Sequence, residues 1–170
     1  ESVVTVRRTE AAASLPDIVG RPVIDRGRVF AIGQSGLLVA IDLRTGRRAW
    51  EAPIPGIFQP WLAGDFLYAV TVDSEAICVD ARSGRILWVT QLPRFEDGDP
   101  EEERLIWAGP ALASDRLIVV GSDGRALSIS PYTGAVLGQI ELRDTASLPP
   151  VFANETMFVL DDDGDLTAYR

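Results

Sequence analysis

Short apolar runs, punctuated by polar turns, recur along this chain with a fixed internal arithmetic. Pro22, Pro60, Pro110 and Pro150 each open such a run. Eight residues later stand Phe30, Tyr68, Ile118 and Phe158, and 24 residues after the first three stand Gly46, Gly84 and Gly134. The runs are short and rich in β-forming residues, and Gly, Asp, Asn or Ser fills the gaps, which is the pattern of β-strands joined by tight turns. Each unit divides into four predicted strands. Strand A starts at the proline, strand B covers Val29–Ile32, Phe66–Val72, Leu117–Val120 or Met157–Leu160, and strand C covers Leu38–Asp42, Ala76–Asp80, Ala126–Ser130 or Leu166–Tyr169. Strand D lies near Ala49–Ala52, Ile86–Gln91 or Val136–Leu142. No stretch of helical period competes with them.

A second pattern is laid over the first. Ala40–Trp50 has the form A-x-D-x-x-x-G-x-x-x-W and returns as Cys78–Trp88; a worn copy runs from Ser128 to Gly138. Glycine supplies positive φ for the C–D turn, aspartate accepts backbone N–H groups across it, and tryptophan offers a flat face to a neighbour. Asp42, Gly46, Trp50, Asp80, Gly84 and Trp88 carry the two full copies of this motif, and Gly138 stands at the tryptophan position of the third. Repeats of about 40 residues and four strands predict an all-β fold, a β-propeller of four-stranded antiparallel blades. The expected division is a strand and connector over 1–17, blades over 18–55 and 56–93, an acidic insertion over 94–104, a blade over 105–142 and an incomplete blade over 145–170.

Composition narrows the function. The chain has 170 residues, a net charge of −9 and no histidine, and all 16 basic residues are arginine. Nucleic acid is an unsuitable partner for that charge. Histidine-dependent nucleophiles are excluded, and the single Cys78 can form neither an internal disulfide nor a cysteine zinc site. Asp161-Asp162-Asp163-Gly164-Asp165 lacks the spacing of a calcium loop and is expected to be a hairpin turn. No carboxylate is flanked by a nucleophile or phosphate loop, so no catalysis and no cofactor are expected. Trp61 and Trp107, near blade entries, are expected in packing before partner anchoring.

Alternating strand direction puts the A–B and C–D turns on one face and the B–C and D–A loops on the other. Acids collect on the second face, among them Asp17, Glu101, Glu102, Glu103, Asp161, Asp162 and Asp163, and arginines on the first, such as Arg26, Arg28, Arg44 and Arg82. These seven acids are the candidate partner-binding residues.

The repeated motif resembles the tryptophan-docking motif of quinoprotein (PQQ) propellers, which implies that Trp50 and Trp88 stack between blades as fasteners and that Gly138 leaves one junction weak. Ser14–Ile24, Arg28–Trp50, Trp88–Pro93, Ser128–Gly134 and the ending Asp162–Arg170 resemble the BamB-type, PQQ-like propellers in their alphaproteobacterial style, and the chain looks like the last four blades of an eight-bladed ring. That resemblance implies a non-catalytic lipoprotein scaffold of the outer-membrane β-barrel assembly machine. It would sit in the periplasm, be tethered to the outer membrane by an anchor outside this piece, and bind the POTRA repeats of BamA. Other subunits of the machine and unfolded client strands, taken by β-augmentation, are further implied partners. The remaining blades or a second copy would close the ring. Asp17 matches the first of two acids at a family contact, and Val19 stands at the second. The alternative is a piece of another PQQ-like propeller, including a dehydrogenase; those enzymes use a calcium site and a vicinal cysteine pair.

Overall fold

The computed structural model describes residues 18, 20–34, 36–99, 101 and 103–170. The strand expected at Val3–Val6, the connector to Asp17, Val19, and Glu102 of the insertion lie outside them. Four antiparallel sheets follow one another. The first holds β1 (Val23–Asp25), β2 (Arg28–Ile32), β3 (Leu38–Asp42) and β4 (Arg48–Ala52) in simple meander order. The second holds β5 (Trp61–Ala63), β6 (Phe66–Val70), β7 (Glu75–Asp80) and β8 (Ile86–Gln91). The third holds β9 (Trp107–Ala113), β10 (Arg116–Gly121), β11 (Arg125–Ile129) and β12 (Val136–Glu141). The fourth has β13 (Val151–Ala153), β14 (Thr156–Leu160) and β15 (Leu166–Tyr169). The fold is a partial β-propeller.

Three of the A strands begin one residue later than expected, because proline brings no N–H to the ladder. The third departs further. Strand β9 starts at Trp107, and its register against β10 slips between Ile118 and Val120. Gly109 (φ 138) and Pro110 face Val119 there as a bulge, which absorbs the missing donor inside a strand.

The A–B turns explain their own sequences. Asp25 pairs with Arg28, leaving Arg26-Gly27 as a two-residue turn with φ of 44° and 76°. Ser114-Asp115 and Asn154-Glu155 repeat this, and Gly64 takes φ 61 in the second blade. Left-handed two-residue turns match the strand twist and favour Gly, Asn and Asp.

The core lies between sheets. Side chains of one parity on the first blade (Phe30, Ile32, Leu38 and Ala40) meet the opposite parity of the second (Leu67, Ala69, Ile77 and Val79), all nearly inaccessible. The second meets the third in the same way, through Tyr68, Val70 and Cys78 against Leu117, Val119, Leu127 and Ile129. Each fully buried aliphatic side chain contributes about 1.5–3 kcal/mol to these layers. The third junction is built of smaller pieces, with Ala108, Val120, Ala126 and Ala146 around Met157 and Val159.

Candidate functional site

The strand C ends build the fasteners. The Asp42 carboxylate accepts the Thr45 N–H and hydroxyl, each at 2.7 Å, and Asp80 accepts the Ser83 N–H and hydroxyl at the same distance. Those hydroxyl and backbone donors hold both carboxyls below the usual range. Gly46, Gly84 and Gly134 close the same turn, donating to the strand C carbonyls of Asp42, Asp80 and Ser130 at 2.8, 2.8 and 2.9 Å.

Into two of these turns the preceding blade inserts its tryptophan. The Trp50 indole N–H donates to the Ala81 carbonyl at 3.0 Å, and Trp88 donates to Pro131 at 3.0 Å. A Cβ placed on Gly84 or Gly134 would lie 2.7 Å from the indole ring, so glycine here provides room as well as dihedral freedom. Phe30 tilts against Trp50 (6.0 Å, 46°), and Tyr68 against Trp88 (6.1 Å, 37°). At Gly138 no atom would meet an added Cβ within 4 Å.

Two contacts have no counterpart in the sequence motif. Arg28 donates from Nη1 to the carbonyls of Ala81 and Arg82 at 2.9 and 2.8 Å, clasping the first blade to the second beside Trp50. The Trp107 indole donates to Pro93 at 2.8 Å and is 2% exposed, whereas Trp61 is 39% exposed. An arginine opening strand B was the only sequence signal for the clasp.

The loops divide between two faces. Leu43 N–H to Gly27 and Ala81 N–H to Asp65 tie C–D turns to A–B turns, at 2.8 and 2.9 Å. On the opposite face Gly56, Leu92, Leu142 and Asp162 tie D–A segments to B–C turns through Gly33, Ser74, Gly124 and Thr145. The arginine face is less basic than its arginines suggest. Asp65 binds Arg26 at 2.8 Å and approaches Arg82 at 3.7 Å, closing a cleft of about 240 Å³.

On the acidic face the candidates separate by environment. Glu101 and Glu103 are exposed on the insertion, whose stem closes through the Phe95–Arg104 bridge and a 2.8 Å bond from Leu105 N–H to Arg94. Arg104 reaches back to Asp73 at 3.1 Å. Asp161 is 9% exposed, and its carboxylate accepts the Asp165 N–H at 2.7 Å inside the hairpin turn. Asp162 accepts the N–H and hydroxyl of Ser147, at 3.2 and 3.1 Å. Only Asp163 of this trio stands exposed without a bond to the fold among the described residues. Asp123 is likewise internal, bound to the Arg125 guanidinium at 2.6 Å. Among the described residues no three metal-ligating side chains converge. Asp17 lies outside the described residues.

Cys78 is a buried thiol against Tyr68; loss of hydration pushes it up from 9.0 to about 11 and Tyr68 from 10.0 to about 12.

A family profile described as outer membrane protein assembly factor BamB matches residues 1–90. The chain is 23% identical to an outer membrane protein assembly factor BamB of Moranella endobia over 92% of its own length and 38% of the relative. The crystal structure of BamB from Moraxella catarrhalis superposes with a TM-score of 0.76 at 17% identity, covering 90% of this chain and 43% of that one. A quinoprotein alcohol dehydrogenase, PedH of Pseudomonas putida, is 24% identical over 69% of the chain and 22% of its own length. The chain thus spans less than half the length of each of these proteins.

Proposed function

Since the chain belongs to the BamB family of outer membrane protein assembly factors, we propose that it is the blade-bearing part of a non-catalytic scaffold in outer-membrane protein assembly. It works by binding protein. Its partner is the POTRA region of BamA, in the periplasm, where the full-length protein is tethered to the outer membrane. The remaining blades complete the ring.

The observation that carries this reading is the split between the two faces. The fasteners on one face consume their own polar groups, with Asp42, Asp80 and Asp65 bonded within the fold. On the other face Glu101, Glu103 and Asp163 stand in water, on loops anchored at both ends. Exposed carboxylates of one sign steer a partner that bears arginine or lysine and speed its approach at low salt.

The test is binding of the chain to a BamA POTRA fragment by calorimetry, across ionic strength. Association that weakens with salt, and weakens further in Glu101→Gln/Glu103→Gln/Asp163→Asn, is expected. No association at low salt would sink the proposal. The dehydrogenase likeness supports a second reading, a segment of a quinoprotein enzyme. Added PQQ and Ca²⁺ would then give a bound-quinone absorbance; the scaffold reading expects none.

A further inference from the structure

The repeat is its own control: a side chain that fastening requires recurs at the same offset in the next junction. Between the first and second blades, on the face of the A–B and C–D turns, lies the cleft of about 240 Å³. Arg26, Arg28 and Arg82 bring three positive charges to it, against two negative charges from Asp25 and Asp65. At the junction of the second and third blades, Gly64, Phe66 and Tyr132 stand in place of the three arginines, and Ala63 in place of Asp25. The fastener there is nonetheless the same, since Trp88 donates to Pro131 at 3.0 Å as Trp50 does to Ala81. The tie between turns needs no cation either. The Tyr132 hydroxyl donates to Asp115 at 3.1 Å, where Arg82 approaches Asp65 at 3.7 Å. At the third junction Ser114 stands at the place of Arg26. The three guanidiniums thus belong to one junction and not to the frame.

Among the described residues, most of their N–H donors are unspent. Arg28 uses Nη1 alone, on the Ala81 and Arg82 carbonyls. Arg26 gives Nη1 to Asp65 at 2.8 Å and comes no nearer than 3.5 Å to Asp25. The Arg82 guanidinium makes no hydrogen bond there, and its side chain is 78% exposed. A planar fork open to water grips a carboxylate through two parallel hydrogen bonds. Phe30, Leu62 and Ala81 line the same cleft and suit a hydrocarbon group attached to that carboxylate. Asp65 already offers one carboxylate to these arginines, so the chain carries its own competitor.

We propose that this cleft binds a small carboxylate bearing a short apolar group, with Arg26 and Arg82 on the carboxylate oxygens and Phe30 and Leu62 against the apolar part. Pockets for drug-sized ligands begin at about 300 Å³, so the guest is smaller than these. The cleft lies on the face opposite Glu101, Glu103 and Asp163, and its ligand is distinct from the partner that those acids steer.

The test titrates the ¹⁵N-labelled full chain with phenylacetate at constant ionic strength. Saturable shifts are expected at the Arg26, Asp65 and Arg82 amides. Acetate should bind more weakly for want of the ring, and 2-phenylethanol should leave these amides unmoved for want of the charge. Arg82→Gln should weaken binding about two- to fivefold, the range of an exposed ion pair. Asp65→Asn removes the competitor and should tighten binding by a similar factor. Arg44→Gln, on the same face but outside the cleft, should leave the affinity unchanged. Unmoved amides elsewhere in each variant show that the fold is kept. No saturation, an equal response to 2-phenylethanol, or weaker binding in Asp65→Asn overturns the proposal. Equal weakening by Arg44→Gln also overturns it, by showing a general attraction of the face. Equal affinity for inorganic phosphate does so too, by showing an anion contact indifferent to the apolar group.

Discussion

Replacing Gly84 by valine, with Gly46→Val as its partner experiment, separates the two jobs of the motif glycine. Both positions are left-handed, with φ of 77° and 68°. Forcing a side chain into that region costs about 1–2 kcal/mol at either site. Only at Gly84 does the new Cβ also lie 2.7 Å from two Trp50 ring atoms. Carbon atoms settle at about 3.5–4.0 Å, so the indole must retreat by roughly 1 Å. That movement breaks the 3.0 Å bond to Ala81, worth about 1 kcal/mol, and spoils the Phe30 contact, worth about 0.5–1.5 kcal/mol. The expected losses are about 3–4 kcal/mol for Gly84→Val and about 1–2 kcal/mol for Gly46→Val. At about 2–4 °C per kcal/mol in a domain of this size, the two variants should differ by about 4–8 °C in Tm. Thermal and urea unfolding of the full chain measure the difference. Fluorescence supplies a second readout, since only Gly84→Val should red-shift Trp50. Equal destabilisation by the two substitutions would refute the packing role and leave the dihedral alone.

Arg28→Ala should cost about 1–2 kcal/mol in urea unfolding through the two lost carbonyl contacts, and Arg28→Lys should not restore it, because the lysine nitrogen ends one bond nearer the backbone than Nη1 and falls short of both carbonyls. Alkaline stability should fall. Cys78 and Tyr68 keep their protons in the fold to about pH 11 and 12 but release them near 9 and 10 when unfolded. Their contribution is complete below pH 9 and is lost as pH rises through the folded values, by about 1.4 kcal/mol per unit while one group titrates. Urea midpoints from pH 8 to 12 should show this, and Cys78→Ala should remove the part that starts near pH 9; a flat profile contradicts the buried thiol. Gly138→Trp, which completes the third motif, should change Tm by less than the equivalent of about 1 kcal/mol, since no atom lies within 4 Å of its Cβ to receive the ring. A large gain would mean that the fourth blade does provide a socket.

The architecture was legible because it is written in offsets. A proline, an aromatic or aliphatic residue eight positions on and a glycine at 24 survive from blade to blade, since strand parity and turn geometry admit little drift. Strand ends were less so: the bulge at Gly109-Pro110 depends on a register slip that no local propensity encodes. The site was legible only in charge. Sequence grouped Asp161, Asp162 and Asp163 together, yet burial and the Asp165 donor turn Asp161 inward, Ser147 holds the exposed Asp162, and Asp163 stands in water. The Arg28 clasp was hidden because its partners are backbone carbonyls, which carry no residue type.

The stitches between D–A segments and B–C turns have a consequence for how such a chain can diversify. Successive opening prolines are 38, 50 and 40 residues apart. Through all three intervals the same bond recurs, from the Val72 N–H to Pro55, Ser122 to Ile106 and Asp162 to Thr145. The extra length between the second and third blades is pinched off at its base by the Phe95–Arg104 bridge. Residues can therefore be added or exchanged above the stitch without disturbing the frame below it. One side of the molecule is free to acquire new loops, and with them new partners, while the indole fasteners hold the other side constant.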